Sequence, residues 1–269
     1  MRRVKAARER AQEKRQQEHA DAAAKAATIW KEATTANDDH PYLVRKKIKA
    51  NGARLHQGKL VIPVCSGNEI HSLQFIAEDG NKRFLSGGRV SGNYFIIGTT
   101  QNMAALCIAE GFATGATIHQ ATGYPVTVAF DANNLEPVAK ALRQKLPDLP
   151  LIICADDDAD TEGNPGITKA NQAALAISAK VAIPDFGVQR PEGVTDFNDM
   201  AALRGPEAVA RTICQATAPD PVASESWPES VTFPPPEGKR PGYRVLDDWQ
   251  EGDDGRRYQP GVHFCGIQT

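Results

Sequence analysis

Ala104-Ala105-Leu106-Cys107-Ile108-Ala109-Glu110-Gly111 is an apolar run that stops on a carboxylate and a glycine. A run of this length, bounded by a charge and a turn residue, predicts a buried strand. Leu151-Ile152-Ile153-Cys154-Ala155 repeats the pattern and ends in Asp156-Asp157-Asp158-Ala159-Asp160. Helical spacing is predicted over residues 112–121, 135–146 and 167–178, and further strands over 126–130 and 180–183. Strands alternating with helices predict an α/β fold, a mostly parallel sheet flanked by helices. Ligands of such sheets bind at the carboxyl ends of the strands. Glu110 and Asp156 stand there, each directly after its strand.

Upstream of this unit the pattern changes. Leu60-Val61-Ile62-Pro63-Val64 and residues 70–76 predict two strands joined at Ser66-Gly67-Asn68, and Asp79-Gly80 marks a second turn. Lys82-Arg83-Phe84-Leu85 follows, then Ser86-Gly87-Gly88-Arg89, then a short strand at Tyr94-Phe95-Ile96-Ile97. Residues 40–100 are thus expected to form a small β-rich subdomain. Its rims are basic: Arg45, Lys46, Lys47, Lys49, Arg54 and Lys59 occur with no acid between Pro41 and Lys59. The Gly87-Gly88 pair reads equally as a plain turn or as backbone open to a phosphate. Residues 1–39 are rich in helix formers and read as a charged helix or connector ending at Pro41. Residues 101–216 hold the α/β unit. Residues 217–242 read as a Pro-rich linker. Residues 243–269, too few for a core of their own, are expected to open a further domain.

Composition limits the choices. The 269 residues are 41% apolar, enough for a core, and the formal net charge of −2 does not by itself select a nucleic-acid partner. Cys65, Cys107, Cys154, Cys214 and Cys265 are scattered, with neither a CxxC pair nor histidines at zinc-ligand spacing, so no zinc site is read. The absence of a signal peptide or a long apolar span from the sequence makes the cytoplasm, away from any membrane, the expected location. No G-x-x-x-x-G-K-[ST] loop occurs, so any ATP-driven motor is expected outside this sequence.

The acids carry the chemistry. Carboxylates gathered at strand ends repel one another unless a cation sits among them, and oxygen-only ligands suit Mg²⁺ or Mn²⁺. Asp156 and Asp158, two apart on an extended segment, share a face, while Asp157 points elsewhere. Asp196 and Asp199, in Thr195-Asp196-Phe197-Asn198-Asp199, come from a later loop and can close the cluster. Phosphoryl and nucleotidyl transfer need such a site, because negative charge gathers on phosphate oxygens as the reaction proceeds. A calcium-binding EF-hand is excluded: Thr161 stands where its glycine belongs and Ile167 where its glutamate belongs. A solvated turn capping the following helix is the bland alternative.

Ala109-Glu110-Gly111 before a helix and Asp156-x-Asp158 after a strand resemble the Toprim domain. The flanking segments 60–64, 80–88 and 193–199 resemble the catalytic core of Toprim primases of the phage and plasmid primase–helicase type, and residues 243–249 resemble the start of their helicase-associated region. The resemblance spans residues 41–216. It implies a DNA primase core making RNA primers on single-stranded DNA from ribonucleoside triphosphates, with a replicative helicase in cis or in trans. It assigns Glu110 as general acid/base, with Asp156 and Asp158 also catalytic. All three, with Asp196 and Asp199, would hold Mg²⁺ or Mn²⁺. Lys82 and Arg83, with Arg89, Arg45, Lys46 and Lys47, would contact nucleotide or template. Two other readings remain at this stage: a Toprim nuclease or topoisomerase-like cleaver, for which Tyr42, Tyr94 and Tyr124 are the available nucleophiles, and a non-catalytic single-stranded-DNA-binding remnant.

Overall fold

The computed structural model describes residues 2–101 and 103–220, with the pairs 250–251 and 257–258. Helix-forming residues carry the N-terminal stretch into one long helix, α1 (Arg2–Glu32). Its last turns bring Ala26, Ile29 and Trp30 against Val61, Leu73, Phe75 and Leu85. Arg54 covers Trp30, its guanidinium 4.3 Å from the ring centre, and donates to the Trp30 carbonyl.

Those apolar partners lie on the first sheet or, for Leu85, just past its last strand. The sheet comprises β1 (Thr34–Thr35), β2 (Arg54–His56), β3 (Lys59–Ser66), β4 (Glu69–Ile76) and β5 (Lys82–Phe84), antiparallel and in that order. Alternation along β3 explains its two faces. Val61 meets α1, whereas Leu60, Ile62 and Val64 turn to the other side with Tyr42, Leu43 and Ile48.

Tyr42 and Leu43 lie on α2 (Pro41–Lys46). The sequence reading stopped a helix at Pro41; in the structure α1 ends earlier, and Pro41 starts a new helix. Proline is suited to the first helical position, where its missing N–H goes unneeded. His40 caps the turn by accepting from the Tyr42 N–H at 3.3 Å, and Lys47 ends it with φ 53°.

The second sheet runs β10-β9-β7-β8-β6, comprising β6 (Phe95–Ile97), β7 (Leu106–Ala109), β8 (Val126–Val128), β9 (Leu151–Cys154) and β10 (Lys180–Ala182). All neighbours are parallel except β6, which pairs antiparallel with β8 as an edge strand. Residues 95–97, assigned from sequence to the β-rich part, thus belong to the second sheet, while Tyr94 just before them bridges to Cys65 of β3. Leu106 and Ile108 pack toward α4 (Leu135–Lys145) and α5 (Pro165–Ile177). Cys107 and Ala109 turn to the opposite face, toward α3 (Phe112–Thr122), α6 (Phe197–Arg204) and α7 (Pro206–Cys214).

The two sheets share one core. Ile97, Phe112, Ala116, Val128 and Phe130 of the second pack on Leu60, Ile62, Val64 and Ile76 of the first. Asn134, 3% exposed, adds a polar clasp. Its amide nitrogen lies within hydrogen-bond reach of the carbonyls of Val90, Asn93 and Ala129, and its oxygen accepts from the Gly92 N–H. All of this lies in one compact unit, Met1–Ser224. In the second unit, Glu225–Thr269, the described pieces are two strands, β11 (Gln250–Glu251) and β12 (Arg257–Tyr258), paired antiparallel. The expected linker and helicase-associated start otherwise lie outside the described residues.

Candidate active site

Three strands of the second sheet end in acids on the same side. Glu110 follows β7, Asp156 follows β9 and Asp131 follows β8. The Glu110 carbonyl accepts from the Phe130 N–H at 2.7 Å, which ties the ends of β7 and β8 together. Phe130 holds φ 75°, a left-handed conformation that is costly for a bulky side chain and accumulates at functional sites.

Burial and mutual repulsion dominate the electrostatics here. The Glu110 carboxyl is pushed up to about 7, first by burial, then by Asp158 and Asp131; Lys82 opposes the shift and Asp196 adds to it. Asp156 is pushed up to about 8 by burial, then by Glu110, Asp196 and Asp158, again opposed by Lys82. One oxygen of Asp156, Oδ1, is buried and has no hydrogen-bond partner among the described residues. A buried carboxylate oxygen without a donor is costly unless something positive meets it.

Residues 105–207 match the Toprim domain family. This stretch is a Toprim domain. Two curated proteins from Escherichia coli, both named DNA primase TraC, are 40% and 41% identical to the chain over 157 residues. The matched stretch is 54% of this chain but 15% and 11% of those proteins, so the chain spans a small part of their length. Among solved structures, one of the bacteriophage T7 lagging-strand DNA polymerase with primase domains of two gp4 subunits aligns with a TM-score of 0.47 at 14% identity, covering 69% of this chain and 99% of that one. The RNA polymerase domain of Mycobacterium tuberculosis primase DnaG aligns with a TM-score of 0.43 at 14% identity, covering 69% and 68%.

Within the Toprim domain the acids predicted from sequence divide into two groups. Glu110 pushes the Asp156 carboxyl up, and Asp158 and Asp196 lie near enough to act on both. Asp158 also serves the fold: its Oδ2 accepts from the Gly166 N–H at 3.1 Å, at the start of α5. A Cβ on Gly166 would come within 2.2 Å of the Asp156 carbonyl oxygen, so glycine is required there. Asp196 caps α6, accepting from the Asp199 N–H through Oδ1, while its Oδ2 accepts from the Thr114 hydroxyl at 2.9 Å.

Asp199 is not among the groups that perturb Glu110 or Asp156. Its Oδ2 completes the capping box by accepting from the Thr195 and Asp196 N–H groups, and Oδ1 pairs with Lys46 Nζ at 3.7 Å. Its capping-box and ion-pair contacts account for it without a ligand. Asp157 is likewise engaged, by Arg190 and by the Asn164 amide. Arg190 also donates to the Asp157 and Val194 carbonyls and lies over the Phe186 ring, 4.7 Å from its centre. It straps the loop that leads to Asp196 onto the end of β9.

The basic candidates scatter. Lys82 pairs with Ile76 across the strands, so it faces the shared core side and the carboxylates; a Cβ on Gly111 would lie 3.8 Å from its Nζ. Arg83 pairs with Phe75 and therefore stands on the opposite face, the α1 side. Arg89 bonds His71 Nε2 at 3.0 Å, and neither Arg83 nor Arg89 perturbs Glu110 or Asp156. Arg45, Lys46 and Lys47 border a separate cavity of about 190 Å³, together with Thr117, Gln120 and Asn198. Gly88 is fixed by packing: a Cβ there would sit 2.1 Å from Ser72 Oγ. The glycine pair thus acts as a close-packed turn.

The donor set tests well for a hard cation. It is made of oxygens, Asp156 offers an orphaned one, and the acids resist ionising together. Among the described residues no three His, Cys, Asp or Glu side chains converge closely enough to enclose an ion by themselves. Mg²⁺ is commonly bound by one or two carboxylates plus water and substrate phosphate oxygens, so an open arrangement of this kind suits it.

Asp131 was missed in the sequence reading. The signal was present: it follows the apolar segment 126–130 just as Glu110 and Asp156 follow theirs. As for membranes, no described helix is long and apolar enough to cross one.

Proposed function

We propose that this chain is the catalytic core of a DNA primase, joining ribonucleotides on a single-stranded DNA template. The observation that carries the reading is the buried, unpartnered Asp156 oxygen beside Glu110, at the carboxyl ends of adjacent strands and opposed by Lys82. The identity to proteins named DNA primase over 157 residues supports it. In this reading a 3′-hydroxyl attacks the α-phosphate of an incoming ribonucleotide; a new P–O bond forms, and the bond to pyrophosphate breaks.

Glu110, Asp156, Asp158 and Asp196 would hold Mg²⁺ or Mn²⁺, whose chemistry is to offset charge on the reacting phosphate and align attacker with leaving group. Glu110, held near 7, is poised to take or return the hydroxyl proton at neutral pH. Lys82 places its ammonium against the phosphates. The cavity bordered by Arg45, Lys46 and Lys47 would receive the template backbone through phosphate contacts. A replicative helicase, in cis or in trans, would be the working partner.

Strand cleavage through Tyr42 or Tyr94 is disfavoured. Tyr42 is 2% exposed and its phenol is pushed up to about 12, first by burial and then by Asp196. The Tyr94 hydroxyl accepts from Lys145.

The test is incubation with single-stranded DNA, ribonucleotides and Mg²⁺ or Mn²⁺. The wild type is expected to make short RNA products, and Glu110→Ala and Asp156→Ala to make almost none. Equal yields from the variants, or metal-dependent nicking of plasmid without nucleotides, would sink the reading.

A further inference from the structure

Phe84 stands apart from the other aromatic side chains of the β-rich part. Tyr42 and Tyr94 are buried, and Phe75 and Phe95 pack half-buried against the cores. Among the described residues the exposed large apolar side chains are Val4, Val44, Phe84, Leu175, Val188 and Leu203, and of these only Phe84 is aromatic. It is 38% exposed.

Its place is specific. Phe84 pairs with Gln74 and Lys82 with Ile76, so the two side chains share one face of β5, the face turned to the Toprim domain. β5 is the last strand of its sheet. The Phe84 ring is braced by Phe130, ring centres 6.0 Å apart and planes at 77°. Phe130 in turn holds the Glu110 carbonyl and directly precedes Asp131. A contact that brings an edge to a face leaves ring surface open to a further stacking partner. Two residues along a strand advance about 6.6 Å, comparable to the reach of one sugar between a base and its phosphate.

We propose that Phe84 is the platform on which the base of the incoming ribonucleotide stacks while Lys82 and the strand-end carboxylates take its phosphates. This rests on the primase reading and adds a base subsite to it. Stacking on a ring face serves all bases, so the subsite binds nucleobases as a class without selecting one. It also gives the exposed ring a role that packing against Phe130 alone leaves unexplained.

The test compares binding of ATP and of inorganic triphosphate, each with Mg²⁺, by calorimetry. Wild type is expected to bind ATP about tenfold or more tightly than triphosphate, the return typical of one stacked base. Phe84→Ala abolishes that preference and leaves triphosphate binding within about twofold, while Phe84→Tyr and Phe84→Trp keep it. Phe84→Leu retains apolar contact with Phe130 but lacks a π face, so it behaves as Phe84→Ala. In primer synthesis the loss falls on KM more than on kcat. A wild type without the preference overturns the proposal. So does a Phe84→Leu variant that retains the preference, since the ring would then only brace Phe130. Weakened single-stranded DNA binding in Phe84→Ala with unchanged ATP affinity overturns it too, placing the ring on the template. Base preference is read from binding alone, so its failure is separable from a failure to make primers.

Discussion

The carboxyl ends of β7 and β9 and the first turn of α6 are both acidic, yet their charges do opposite work. Asp199 is consumed locally by two backbone N–H groups and Lys46, and Asp157, one residue past Asp156, by Arg190 and Asn164. Glu110 and Asp156 are left facing like charges, and both are driven toward protonation. An acid beside a matching donor stabilises the fold. An acid kept from one stores a demand for a cation. Adjacent positions in one sequence motif can therefore belong to different economies, and only the three-dimensional partners tell them apart.

The sharpest way to break that contrast is Asp156→Asn. Primer synthesis is expected to fall on the order of a hundredfold to a thousandfold, while metal-free thermal stability above about pH 8 rises, because the charge that Asp156 would carry there is gone. A variant that loses stability along with activity would put Asp156 in the structural class. Next in size is Asp157→Ala, which leaves the half-buried Arg190 beside backbone carbonyls alone and is expected to cost about 2 kcal/mol in denaturant unfolding. A cost below about 1 kcal/mol would make the pair incidental.

The pH dependence sharpens the contrast further. Both carboxyls are raised in the folded state, to about 7 for Glu110 and about 8 for Asp156, so the folded protein holds protons that the unfolded chain has released. Their ionisation therefore destabilises the fold at high pH, and the penalty is relieved as pH falls through 8 and 7. Without divalent ions, the melting temperature should rise as pH is lowered from about 8.5 to about 6. The increment gained from Mg²⁺ should run the other way, largest at the alkaline end. A metal increment that ignores pH would remove the carboxylates from the binding step. The smallest expected effect is Asp199→Ala, which loses a cap and a half-exposed ion pair, about 1 kcal/mol of stability. Primer synthesis at saturating Mg²⁺ should change little; a large loss with unaltered melting would return Asp199 to the metal site.

Much of this arrangement was legible beforehand because burial and strand ends leave one-dimensional marks. The runs before Glu110 and Asp156 are apolar since their strands are covered on both faces, and the acids stop them abruptly. The hairpin of β3 and β4 was marked by its turn residues. The side of the sheet on which a basic residue falls was not legible. Lys82 and Arg83 are neighbours in sequence, and only the pairing with Ile76 and Phe75 sends them to opposite faces. Helix α2 was hidden because Pro41 was read as a stop when it serves as a start. Arg190 gave no warning either: its partners are a side chain 33 residues away and two carbonyls, and carbonyls have no sequence signature. Asp131 had the right context, an apolar run ending on an acid, and was passed over.

Asn134 has a consequence for ageing of the protein. Its nitrogen, with two hydrogens, lies within hydrogen-bond reach of three carbonyls. Hydrolysis of that amide to a carboxylate would leave three oxygen acceptors facing a fourth, in a place water hardly reaches. Deamidation there would loosen the tie between the loop before β6 and the end of β8.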